Sequence, residues 1–467
     1  MQVRNKEVKM KWNGMGSLKK DWFYSVSLLL IVLMGSKSGR SECPSALTSA
    51  QGASIRISVK NKSSVAVYRK AIFVPLRHPW AQPMDPQSHP VLRDEQGSTI
   101  PCQLIEKDGA GTAQELFFLT DLSPRATKQF YLNWSRQETV LQPMVRIRFR
   151  KRTGKSAPLQ VLKEDYFYPS MLLPLTGFQP YQTDGPTWEN DKIGFRHYFD
   201  GRNAKDVFGK RVSSLSPDSV GISATGQVED NYHVMKDWGR DILPVGSTKG
   251  LSVGLGGIGL WFEGCPHRIG VTGTDSVHTV ASTHLKVQNN GPLFASFNLR
   301  YQDWTPAPGR TYTVFEAPSI WPGMFAYRNR VTGSGLTGKE EWLVGLPKVA
   351  TEKNLTTMEK GDWVVLYTHD QQTYNREFVL GMAIVVPRKV YLGWGKAPES
   401  GSFAHSYFAR LRAQKNQTIE YYAVAGWELS DPTFKSESGF VDYLNQFVSN
   451  LQSSVQVRVK KGQASNP

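Results

Sequence analysis

A hydrophobic run long enough to cross a membrane is the first thing the 467-residue sequence lacks. Its longest apolar stretch, Trp22–Met34, has thirteen residues, against the roughly 20 that a spanning helix needs. Cysteine is scarce: Cys43, Cys102 and Cys265 form no Cys-x-x-Cys, which excludes a zinc ribbon and a thioredoxin-type site. Cys102 and Cys265 are expected as buried free thiols, with a pairing between them left open. The nine histidines contain no H-E-x-x-H or H-x-x-x-H pair, so a zinc hydrolase has no support. There is no EF-hand spacing and no internal repeat of propeller or solenoid length. Long Ala/Leu/Glu-rich helical windows are missing as well.

What is present points to strands. Hydrophobic residues make up 40% of the chain and charged residues 21%, a globular balance. The 41 Gly, 27 Pro and 11% aromatics favour strands and turns. Ile55, Ile57 and Val59 alternate with polar residues, and Val65–Tyr68, Ala71–Leu76, Leu116–Leu119, Gln129–Leu132 and Val145–Phe149 continue the series. Further strands are expected over Val280–Val287, Leu293–Tyr301, Tyr312–Ala317, Trp363–Tyr367, Phe378–Val386 and Ile419–Ala425. Val441, Leu444, Phe447, Val448 and Leu451 recur at helical spacing behind a cap at Ser438. The expected fold is mainly all-β, a large β-sandwich with a C-terminal helix. Its parts are a secretory signal over 1–41, a linker over 42–53, an N-terminal sandwich part over 54–150, a main sandwich domain over 151–451, and a polar tail from 452 that frays.

The formal charge is +16. Residues 1–41 carry eight Lys/Arg against Glu7 and Asp21, so they supply +6 and leave +10 for the rest. A basic stretch reaching Lys20, the apolar run and small residues from Gly35 read as an export signal, giving a secreted or periplasmic protein with no stable membrane association. Export and the absence of a nucleic-acid motif disfavour nucleic acid, so an acidic polysaccharide or oligosaccharide is the polyanion expected.

Two apparent nucleotide motifs fail. Gly254-Leu255-Gly256-Gly257-Ile258-Gly259 fits G-x-G-x-x-G, but Leu260-Trp261-Phe262 continues it as a strand rather than a helix. Tightly approached, glycine-lined backbone is the better expectation. Gly154-Lys155-Ser156 resembles the end of a phosphate loop, but Phe149 stands where the upstream glycine belongs. No cofactor or metal is expected, although Asp200, Asp206, Asp237 and Asp241 leave a calcium site open.

Charge, aromatics and glycine crowd together between Trp188 and Glu263, with little apolar periodicity to explain them. That mixture fits a polar ligand site. Glu189, Asp200, Asp206, Asp237 and Asp241 are its carboxylates. His197, Tyr198, Tyr232 and His233 are candidates for moving protons, and Arg196, Arg202, Lys205, Lys210 and Arg240 for holding an anion. Trp188, Trp238 and Trp261 offer flat faces to sugar rings. The catalytic candidates are His197, Tyr198, His233, Asp200, Asp237 and Asp241; the substrate-binding candidates are Arg196, Arg202, Lys205, Tyr232, Trp238 and Arg240. Two carboxylates would serve glycoside hydrolysis. A base beside a group that neutralises a uronate carboxylate would serve elimination. A glycan-binding module without catalysis uses the same tryptophans.

The block Gly194-Phe195-Arg196-His197-Tyr198-Phe199-Asp200, Lys205-Asp206-Val207-Phe208-Gly209-Lys210 and Tyr232-His233 with Asp237-Trp238-Gly239-Arg240-Asp241 resembles domain-of-unknown-function family 4861. Asp303-Trp304, Gly345-Leu346-Pro347-Lys348 and Gly426-Trp427-Glu428 fit as well. The resemblance covers most of the chain after residue 50. It implies an exported β-sandwich protein, set beside enzymes that take apart pectin-like or other uronate-containing glycans. It supplies no catalytic residues.

Overall fold

Alternation of apolar and polar residues from Ile55 produces the strand Ile55–Asn61, with Ile55, Ile57 and Val59 turned inward. The computed structural model describes residues 54–83, 85–106, 115–155, 157–172, 178–247, 250–272 and 277–462. The segments expected as export signal and linker lie outside these residues.

Ile55–Asn61 pairs on one side with Thr127–Ser135, which continues through His89–Asp94 to Thr99–Ile100. On its other side lies Val455–Lys461, paired antiparallel from Val455 opposite Asn61 to Lys461 opposite Ile55. The segment after 452, expected to fray, is therefore a strand. Its Val455, Val457 and Val459 alternate with polar residues and lean on the core of the N-terminal layer. A second sheet, Val67–Pro75, Glu115–Leu122 and Cys102–Ile105, closes that layer over Val74, Leu116, Phe118, Phe130 and Leu132.

The rest of the chain builds a larger stack. A ten-stranded antiparallel sheet runs from Glu164–Phe167 through Val280–Asn290, Ala295–Ala307, Arg310–Glu316 and Ala326–Ser334 to Ile419–Trp427, Val379–Pro387, Trp363–Gln371 and Thr356–Lys360. Two five-stranded sheets contribute to the same hydrophobic core. One orders Gly239–Asp241, Lys205–Lys210, Ile193–His197, Thr187–Glu189 and Arg146–Arg148; the other is centred on Glu341–Pro347. Trp188 of the first meets Phe297 and Tyr327 of the large sheet edge-on, at ring centroid distances of 5.0 and 5.3 Å. The mainly-β sandwich expectation holds.

The helix is Glu437–Gln452, with Phe440, Leu444 and Val448 buried. Its cap is Ser436 rather than Ser438: Gly439 N donates to Ser436 Oγ at 3.1 Å. Cys102 and Cys265 are both free, Cys102 buried and Cys265 exposed, which corrects the expectation of two buried thiols. The glycine pattern at 254–259 leads into the strand Ile258–Phe262. Gly254 has φ +74°, and a Cβ there would stand 1.7 Å from the Lys205 carbonyl oxygen, so close backbone approach explains the glycine.

Candidate functional site

Strand register assembles the site. Ile193–His197 and Lys205–Lys210 pair with Arg196 opposite Asp206, and Lys205–Lys210 pairs onward with Phe208 opposite Asp241. The two-residue period puts Arg196, Asp206, Phe208 and Asp241 on one face, and Phe195, His197, Lys205 and Val207 on the other. The second face enters the core, where Phe195, His197, Lys205 and Val207 are all fully buried.

On the first face Arg196 is the hub. Its Nη2 donates to Tyr198 Oη at 2.6 Å, to Asp241 Oδ2 at 2.9 Å and to Asp206 Oδ2. Tyr198 Oη donates to Asp206 Oδ2 at 2.9 Å, and Asp184 lies 3.8 Å from Arg196 Nη1. Arg202 grips Asp200, with Nε to Oδ2 at 2.7 Å, and its guanidinium sits 3.9 Å from the Tyr198 ring centroid. Burial opposes the Arg196 charge, but Tyr198, Tyr232, Asp206 and Asp241 together hold it well above its ordinary value. Burial and the neighbouring Asp206 carboxylate drive Asp241 well above the ordinary carboxylate range.

The cluster reaches solvent at His233. This imidazole is 40% exposed, and its Nδ1 stands 3.4 Å from Asp241 Oδ2. The hairpin carrying it is pinned by Asp241 N to Tyr232 O at 2.8 Å and Lys236 N to Gly239 O at 3.0 Å. The Tyr374 ring meets His233 edge-on at 5.4 Å. Burial and Arg196 lower the His233 pKa; burial, Asp241 and Asp206 raise that of Tyr374. At neutral pH the site thus presents a neutral imidazole beside a protonated phenol, a candidate base and a candidate proton donor.

Several predicted site residues are elsewhere. His197 points into the sandwich interior, where burial and Lys205 push its pKa well down, so it has no route to a substrate. Lys205 is held inside by Glu316 at 2.7 Å. Arg240 pairs with Glu377 at 2.7 Å, and Arg196 and Arg202 are taken by their own carboxylates, so none of the three stands ready for a substrate anion. Asp237 is exposed at the rim of a cavity of about 640 Å³ lined by Trp238, Met235 and Leu215, on the same hairpin as His233. Trp238 packs on Phe208 at 6.1 Å, while Trp188 belongs to the core. Tyr232 is buried and donates to Asp230 at 2.7 Å. Of the four aspartates of the calcium idea, Asp206 and Asp241 share Arg196, Asp200 is held by Arg202, and Asp237 is exposed. Among the described residues no His/Cys/Asp/Glu group is arranged to hold a metal. Tyr374 and Asp184 belong to the site without having been singled out, and Asp206 is its central carboxylate. Asp206 is signalled by its hairpin register with Arg196; Tyr374 lies far along the chain and has no local signal.

His278 shows how burial shapes the pH response of this end of the fold. It is 8% exposed, its Nδ1 accepts from Val280 N at 3.0 Å, and burial pushes its pKa down to about 4 from 6.5. Between those values the unfolded chain binds a proton that the folded one refuses. Stability therefore falls as pH drops from about 7 to 4, by roughly 3 kcal/mol from this group. His278→Gln should flatten that part of the urea-unfolding profile, and an unchanged slope would remove His278 as its source.

Residues 59–457 match a family described as Domain of unknown function (DUF4861). The chain belongs to this family. A relative by sequence is "Uncharacterized protein P7" of Formosa agariphila, 25% identical over 379 residues, which are 77% of this chain and 81% of that one. Among solved structures, a protein in glycosyl hydrolase family 38 from Enterococcus faecalis aligns over 88% of this chain with TM-score 0.44 and 10% identity. An alpha-mannosidase from Enterococcus faecalis V583 aligns over 88% with TM-score 0.42 and 10% identity. The chain spans about half the length of these two structures, 48% and 46%. No helix among the described residues of this DUF4861 member is long and apolar enough to cross a membrane.

Proposed function

We propose that this DUF4861 protein is an exported carbohydrate-active enzyme that cleaves acidic, uronate-containing glycans by elimination. The observation that carries the proposal is the His233–Tyr374 pair, partly open to solvent above the Asp241–Arg196–Asp206 cluster. Asp241 orients the imidazole through Nδ1, leaving Nε2 for the substrate. His233 takes the proton on the carbon next to the uronate carboxylate. That electron pair forms the C=C bond, the glycosidic C–O bond breaks, and Tyr374 gives its proton to the departing oxygen. Hydrolysis fits less well. Asp206 and Asp241 are fully buried on a single guanidinium nitrogen, too close and too enclosed to flank a glycosidic bond.

Incubation with a panel of pectic, ulvan-like and glucuronate-bearing glycans should generate absorbance near the ultraviolet edge, from the new double bond. His233→Ala should lower that rate by about 10²–10⁴-fold. Because the base must be neutral, the rate should climb through a pH below 6.5 and hold above it. Reducing ends without absorbance would mean a hydrolase instead.

The second reading, a glycan-binding module without turnover, is favoured by one feature: the arginines at the site are already paired inside the protein. In that case no glycan on the panel is cleaved, and His233→Ala binds as the wild type does.

A further inference from the structure

Arg196 and Arg202 are held by carboxylates inside the fold, whereas three other arginines converge on a carboxylate in an exposed loop. Arg146, Arg148 and Arg150 alternate with the buried Ile147 and Phe149, so their side chains rise from one face of the same extended segment. All three turn to one carboxylate, Asp218. Arg146 Nη1 is 2.6 Å from its Oδ1, Arg150 Nη2 is 2.9 Å from its Oδ2, and Arg148 Nε is 3.8 Å from Oδ1.

Asp218 differs in kind from the aspartates around Arg196. It comes from an exposed loop rather than a strand, and its side chain is 58% exposed, whereas those of Asp206 and Asp241 have no exposure. The loop is anchored beside it by Ser216, whose N and Oγ donate to Glu189 at 2.9 and 2.7 Å. Arg146 and Arg150 are each about a quarter exposed, so solvent reaches the guanidiniums around the Asp218 carboxylate.

The charges leave room for a further anion. Glu189 sits beneath the trio, 2.9 Å from Lys210 and 3.0 Å from Arg146; against the effect of burial, Lys210 and Arg148 hold it down to about 2. Among the described residues, Arg146, Arg148, Arg150 and Lys210 are thus answered by two carboxylates, Glu189 and Asp218. Burial first, then the neighbouring Arg146, push Arg148 down to about 10, with Glu189 and Asp218 acting against them. Forked guanidiniums around a planar carboxylate are the arrangement that recognises carboxylate ligands.

We propose that Arg146, Arg148 and Arg150 form a subsite for a carboxylate group of an acidic glycan, and that Asp218 fills it as an internal stand-in when no glycan is bound. Ligand binding exchanges one carboxylate for another, with the loop residue swinging into solvent. The proposal rests on the proposed function only for the identity of the carrier as a glycan; the anion site stands on the arginines.

The test is equilibrium binding of oligogalacturonate to the full-length protein at low salt. A neutral oligosaccharide of equal length and free galacturonate serve as further arms. Asp218→Asn removes the internal competitor and should tighten oligogalacturonate binding about tenfold. Arg150→Gln should weaken it about tenfold. The neutral oligosaccharide should show neither change. Free galacturonate should follow the same direction at lower affinity, which separates recognition of the carboxylate from recognition of the chain. Thermal melting of both variants checks that they fold; their side chains are partly exposed, and Arg150→Gln stands as an independent variant if Asp218→Asn does not fold. Unchanged affinity in either folded variant, or equal changes for the neutral sugar, would overturn the subsite. The outcome is separable from turnover at His233. Binding shifts without cleavage leave the subsite standing and sink the enzyme; cleavage without binding shifts does the reverse.

Discussion

Arg196→Ala is expected to cost about 3–5 kcal/mol of folding stability, because it strands two buried carboxyl groups. Asp206 and Asp241 come from neighbouring strands and have no exposure, and both accept from the same guanidinium nitrogen. Water cannot replace that cation without opening the layer formed by Phe208, Val220, Tyr232 and Trp238. Burial and the neighbouring Asp206 already raise the Asp241 pKa well above its ordinary value. A carboxyl whose folded pKa lies above its unfolded value weakens the fold as pH rises toward that folded pKa. The damage from Arg196→Ala should therefore be larger at pH 8 than at pH 5 in urea unfolding. Asp241→Asn copies the protonated form, keeps an acceptor for Leu243 N, and should be tolerated alone while recovering part of the loss in the Arg196→Ala background. Arg196→Lys should also lose stability, since an ammonium lacks the planar guanidinium face that lies against the Tyr198, Phe208 and Tyr232 rings. A loss under 1 kcal/mol at pH 8 would show that the cluster is solvated and not the buried hub described.

The strands are legible in the sequence because alternation is local: Ile55, Ile57 and Val59 announce their strand without reference to anything else. The site is legible only as a neighbourhood. Arg196, Tyr198, Asp241 and His233 do converge, and their residue types were enough to draw attention to the stretch. Which of them face one another depends on register, a pairing property that composition does not carry. His197 lies between Arg196 and Tyr198 in sequence yet turns the opposite way, because successive strand residues point to opposite faces. Tyr374 and Glu316 reach their partners from over a hundred residues away, with no local pattern to betray them. The same holds for Arg146, Arg148 and Arg150. Their alternation marks a strand, but the meeting with Asp218 is made by a loop about seventy residues on. The tail after 452 looked like a fraying end because its apolar positions are few. Pairing along the full length of Ile55–Asn61 is what orders it.

Lys205→Met should destabilise the protein by about 3–5 kcal/mol, and Lys205→Met with Glu316→Gln should restore most of that loss. The pair joins two layers of the large sandwich, Lys205 from the five-stranded sheet and Glu316 from the ten-stranded one. Their atoms are 2.7 Å apart, with both side chains sealed from solvent. Glu316 also accepts from Tyr301 Oη at 2.7 Å and from Asn329 Nδ2 at 2.6 Å, and Asn329 donates to Tyr421 Oη at 2.8 Å. Methionine fills the space of the lysine stem but leaves an ionised carboxylate in the core without a counter-charge. Glutamine then keeps an acceptor for Tyr301 and removes the charge, so the doubly substituted core is neutral and mostly hydrogen-bonded. Urea unfolding of the two single variants and the double variant gives the coupling directly, and a coupling under 1 kcal/mol would refute a dry ion pair between the sheets. The same cycle decides what Lys205 is for. Neither side chain reaches the surface, so under the proposed function the double variant should match the wild type in glycan binding and turnover. A stable double variant with impaired glycan binding would return Lys205 to the substrate site, which this geometry denies it.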